Sequence, residues 1–108
     1  MNDFTVIYRI LKIFQAAMDL DEFDPNAISA SRLKISENRL DKLLMMLAKN
    51  GYIEGVTFKQ YWNASVPEVC IEPSASITLK GLEYLEENSM MKKAANLAKG
   101  IKDTIPGL

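Results

Sequence analysis

Between Ile35 and Phe58 the chain spells a helix, a stop and a strand in immediate succession, and that run leaves few folds open. Ser36 is a good N-cap, and Glu37 places a negative charge beside the positive end of the helix dipole. At about 100° per residue, Leu40, Leu43, Leu44, Leu47 and Ala48 share one face. Asn38, Lys42, Met45 and Lys49 point the opposite way, with Arg39 and Met46 on one flank. Lys49-Asn50-Gly51 ends the helix, because glycine takes the left-handed C′ position at little steric cost. Tyr52 to Tyr61 follows at once, rich in β-branched and aromatic residues, and reads as a strand. The rest of the chain must cover those leucines.

The N-terminal third supplies helices to do so. Phe4, Ile7, Tyr8, Leu11, Phe14 and Met18 form one apolar stripe of a helix from Phe4 to Leu20, started by Asn2 or Asp3. Val6, Ile10, Ile13, Ala17 and Leu20 form a second stripe beside it, and so wide an apolar surface is covered on more than one side. Asp19 to Asp24 reads as a solvated acidic loop, without the glycine and spaced oxygens of a calcium loop. Asp24-Pro25 opens a short, weak helix with Ala27, Ile28, Ala30 and Leu33 inward.

After the first strand, Lys59 to Pro67 is polar and turn-prone, with Tyr61 and Trp62 embedded. Glu68 to Glu72 is a second strand, stopped by Pro73, so the two strands form a hairpin with a long loop. Thr78 caps a helix with Leu79, Leu82 and Leu85 toward the core and Tyr84 alongside. Gly81 in its first turn costs about 1 kcal/mol against alanine, a sacrifice that suggests close backbone approach. Asn88-Ser89 is expected to break this helix and cap another, whose face is Met90, Ala94, Leu97, Ile101 and Ile105.

The fold class is thus α+β and mostly helical, in 108 residues that suit one domain. A single cysteine, Cys70, forbids an intrachain disulfide and favours a reducing compartment. The N-terminus lacks the basic start of a signal peptide, and no apolar run approaches the ~20 residues of a membrane helix. A cytoplasmic protein without membrane partners is the expectation.

The order of elements resembles the winged-helix fold: three helices, a β-hairpin wing and a closing helix. Ile35-Ser36-x-x-x-Leu40-x-x-Leu43-Leu44-x-x-Leu47-x-x-x-Gly51-Tyr52-Ile53 looks like a recognition helix running into the wing strand. Ile77-Thr78-x-x-Gly81-x-x-Tyr84-Leu85 looks like the entry to the helix after the wing. With the Met1–Leu20 helix and an extra C-terminal helix from Ser89 to Ile105, the whole is similar to the YjcQ family. The resemblance implies a small bacterial or prophage protein with a winged-helix domain and no established activity. It divides the chain into a winged-helix domain at residues 1–88 and a C-terminal amphipathic helix at 89–108, packed on the domain or forming a dimer seam. Such turns before the third helix often carry glycine where this chain has Lys34, so the lysine must avoid or tolerate positive φ.

Catalysis finds little support. There is no histidine, hence no usual general base near neutral pH and no imidazole for a metal. Cys70 sits between Val69 and Ile71 in a strand, as a structural thiol would. Glu83, Glu86 and Glu87 look like a solvated helix face, and no phosphate loop, cofactor motif or small-molecule site is evident.

Two partner classes remain. Net charge is −1 overall, yet Ala30 to Trp62 carries six basic residues against three acidic ones. In double-stranded DNA, Asn38 would read adenine and Arg39 guanine, while Lys42, Lys49 and Lys59 would neutralise phosphate. Glu37 and Asp41 on the same helix oppose this. The rival is a protein partner or homodimer meeting Met45, Met46, Tyr61 and Trp62, residue types that suit interfaces.

Overall fold

The computed structural model describes residues 2–63, 65 and 67–98, with side chains as far as Ser89. Among the described residues it is mostly helical, with four α-helices and one antiparallel hairpin: α1 (Asp3–Ala16), α2 (Ala30–Leu33), α3 (Glu37–Lys49), β1 (Ile53–Lys59), β2 (Glu68–Ile77) and α4 (Leu79–Ala98). Two 3-10 turns, Ala17–Asp19 and Pro25–Ala27, join α1 to α2.

Asn2 caps α1, its side chain accepting from the Thr5 N–H at 2.9 Å. The buried residues of α1 are Val6, Ile10, Leu11 and Phe14, drawn from both apolar stripes. The core direction therefore bisects them, and each stripe loses members to solvent: Phe4, Met18 and Leu20 are all more than half exposed. The acidic connection is not wholly solvated. Phe23 is buried, its ring 4.6 Å from that of Phe14, and its N–H donates to the Pro73 carbonyl at 2.9 Å. The helix expected from Asp24 onward is split: Asp24 caps only the 3-10 turn, and Ser29 caps α2 five residues later.

Helices α2 and α3 end in the same way. After α2, the Lys34 N–H donates to Ser31 O and the Ile35 N–H to Ala30 O. After α3, the Gly51 N–H donates to Ala48 O and the Tyr52 N–H to Leu47 O. Both are Schellman closures, which require a left-handed residue at C′. Gly51 supplies it with φ +81°, whereas Lys34 supplies it with φ 59° and a side chain that resists it. The chain tolerates positive φ at the lysine because the two hydrogen bonds and the burial of Leu33 over-determine the turn.

The hairpin is longer than its composition suggests. β2 runs through Pro73 to Ile77. Ile53 pairs with Ile77 and Glu54 with Ser76, but the next partners are Val56 and Ile71. Gly55 alone therefore faces the stretch from Glu72 to Ala75, and Pro73, which has no N–H to give, sits in that bulge. A Cβ on Gly55, with φ +77°, would lie 2.6 Å from the Ala75 Cα.

The two ends of the hairpin's core half meet in one joint. The Thr78 N–H donates to Tyr52 O, and the Thr78 hydroxyl donates to Gly51 O while accepting from the Gly81 N–H. Lys80 Nζ donates to Asn50 O at 2.9 Å and lies 4.7 Å over the Tyr52 ring, which meets Tyr84 edge-on. Gly81 is buried here, and a Cβ on it would run into the Tyr52 carbonyl oxygen. The two stretches that carry the family resemblance are thus opposite halves of a single contact. Beyond it α4 is continuous to Ala98, without a break at Asn88-Ser89, where Asn88 Nδ2 donates back to Tyr84 O. Leu79, expected inward, is exposed, and Leu82 and Leu85 carry the helix onto the core. Ile101 and Ile105 lie outside the described residues. No helix among the described residues is long and apolar enough to cross a membrane.

Candidate functional site

Leu40, Leu43, Leu44 and Leu47 are all buried, so α3 turns its other side outward. Asn38, Lys42 and Lys49 are exposed along that side, as their spacing predicts. Among the described residues, Lys42 and Lys49 make no hydrogen bond or ion pair.

The two flanks of α3 are unequal. Asp41, Met45 and Ala48 are half-buried, whereas Arg39 and Met46 are open. Met45 is therefore not the outward thioether; Met46 is, at 49% exposure. Periodicity places residues about the core direction but does not say which flank a neighbouring element covers. The same asymmetry reaches Asp41, whose carboxyl is held above its ordinary value of 3.8, first by burial and then by the Glu37 charge.

Arg39 is engaged. Its Nη1 donates to the Asp3 carboxylate in the first turn of α1, an ion pair between two partly exposed side chains. Around this pair opens a cleft of about 300 Å³, lined by Asp3, Ser36, Asn38, Arg39, Lys42 and Met46. Ser36 Oγ is occupied in accepting from the Arg39 N–H at 3.1 Å as the helix cap.

The hairpin end carries Lys59, Tyr61 and Trp62. All three are exposed, Trp62 to 96%. Lys59 pairs in register with Glu68, which sets an acid opposite it. The Glu68 carboxylate also accepts a hydrogen bond from the Tyr61 hydroxyl and, with its charge, raises the phenol above the usual tyrosine range. Cys70 is half-buried in β2 opposite Thr57. Glu83, Glu86 and Glu87 are exposed.

Sequence reasoning places Asn38, Arg39, Lys42 and Met46 on one helix, where they line a common cleft. It missed Asp3 and Lys80, because a partner 36 or 30 residues away leaves no periodic signal. A weak hint for Lys80 exists: it lies within the Thr78-x-x-Gly81 stretch.

Comparison with known proteins gives one consistent answer. A family model described as YjcQ protein matches residues 8–104. A Bacillus subtilis (strain 168) protein, described as uncharacterised YjcQ, is 32% identical over 106 residues, which span 97% of this chain and 99% of that one. The solution NMR structure of the YjcQ protein from Bacillus subtilis superposes with a TM-score of 0.51 at 27% identity, over 78% of this chain and 92% of that chain.

Proposed function

This chain belongs to the YjcQ family, and we propose that it is a non-enzymatic winged-helix binding module, bacterial or prophage in setting, that lays α3 along the major groove of double-stranded DNA. One observation carries the reading. The outward side of α3 presents Asn38, Lys42 and Lys49 to solvent, with both lysines unengaged among the described residues. A helix so placed between a short helix and a hairpin has the order of a recognition helix before a wing. Asn38 offers the bidentate amide that adenine accepts, and the lysines offer charge to phosphate. Arg39, held by Asp3 in the free chain, would join the duplex contact only once released. Lys59 contributes little to phosphate binding with Glu68 across from it.

The test is retention of a labelled duplex at low salt. Lys42→Glu with Lys49→Glu should abolish the shift while the circular dichroism spectrum stays unchanged. Undiminished binding by that variant, or binding that does not weaken as salt rises, contradicts the phosphate mechanism. A protein partner is the second reading, favoured by Trp62 at 96% exposure and by the open Met46. It predicts that Trp62→Ala, rather than the lysine pair, removes binding.

A further inference from the structure

We propose that Asp3 is a built-in competitor for the phosphate-binding face of α3: its carboxylate holds Arg39 in the free chain, and a backbone phosphate of duplex DNA replaces it in the bound one. The inference rests on the DNA reading above and deepens it by assigning Arg39 and Asp3 opposing roles.

Arginine's planar fork donates to a carboxylate and to a phosphate in the same geometry, so the two ligands are interchangeable at one head group. The pair is accessible to exchange, since the two side chains are 55% and 48% exposed. Such exposed pairs are held weakly. The cleft of about 300 Å³ around them is open, and Lys42 and Asn38 line it with further donors. Asp3 is fixed there by α1, whose first turn is held by the Asn2 cap. A carboxylate in that position does two things. It occupies the guanidinium, and it repels any phosphate approaching Lys42. Removing it should spare the chain the cost of breaking the ion pair when phosphate binds.

The experiment measures anisotropy of a fluorescein-labelled duplex with the full chain and its Asp3→Asn variant. Glu22→Gln, which removes an exposed acid in the α1–α2 connection, controls for net charge. The expected result is that Asp3→Asn tightens binding about three- to tenfold, from release of an exposed ion pair and loss of a like charge. The gain should shrink as salt is added, because screening weakens the competing pair in the free chain while the Arg39–phosphate contact is made in both complexes. In an Arg39→Gln background the gain should shrink to the small part that comes from removing a negative charge beside Lys42. A gain no larger than that of Glu22→Gln, or one that is undiminished without Arg39, overturns the proposal while leaving the DNA reading intact. If neither the natural chain nor Asp3→Asn binds at low salt, the DNA reading and this inference fall together.

Discussion

Replacing Gly81 with alanine should unfold the joint that binds α3 to α4. Alanine is the better helix former by about 1 kcal/mol, so propensity alone predicts a more stable protein. Packing predicts the reverse. The new methyl meets the Tyr52 carbonyl oxygen and lies 2.6 Å from the Ile77 Cγ1. Ile77 can turn, but the carbonyl cannot move without lengthening the hydrogen bond it receives from the Thr78 N–H, 3.2 Å as it stands. Overpacking of this kind costs about 1–3 kcal/mol. The weakened hydrogen bond adds about 1 kcal/mol. Setting these against the propensity gain leaves a net destabilisation of about 2 kcal/mol, or about 10 °C in Tm for a domain this size. Urea denaturation followed by circular dichroism reads it directly. Gly51→Ala is the comparison: its Cβ meets nothing within 4 Å, and only the left-handed φ of +81° opposes it. That variant should lose about 1 kcal/mol. A Gly81→Ala protein as stable as the natural one, or more so, would refute the close approach.

Other consequences are as direct. Lys34→Gly should stabilise the chain by about 0.5 kcal/mol in the same assay, since relief of a left-handed lysine outweighs glycine's freedom in the unfolded state. Phe23→Ala should cost about 3–5 kcal/mol, because its ring is buried against Phe14. Phe4→Ala, at a position 71% exposed, should stay within about 0.5 kcal/mol of the natural protein. Asp41 binds its proton more tightly folded than unfolded, so its contribution to stability is present below 3.8 and lost as pH rises through the raised folded value. Asp41→Asn should therefore raise the urea midpoint near neutrality, and the advantage should vanish as the solution is acidified below that window.

What could be read from the sequence was local. The inward leucines of α3, the Ser36 cap, the glycine stop at Gly51 and the tight approach at Gly81 each follow from a residue's own stereochemistry and its neighbours within a turn or two. Phe23 was hidden because its segment reads by charge, and a single aromatic among acids has no period. Pro73 looked like a strand end because proline cannot pair; the bulge opposite Gly55 removes the need for it to pair. Leu79 sits on the apolar side of a helix that makes its contact one turn later. At the candidate site, the ridge of Asn38, Lys42 and Lys49 was legible for the same local reason. The Arg39–Asp3 pair was not, since it depends on where α1 begins relative to α3.

The proposed function depends on α3 meeting a phosphate backbone. Titrating the 15N-labelled chain with a short duplex at low salt and following amide resonances tests it residue by residue. The largest shifts should fall at Asn38, Arg39, Lys42 and Lys49, fade as salt is added, and be accompanied by movement of Asp3. Shifts confined to Tyr61 and Trp62, or none along α3 at any duplex concentration, would contradict it.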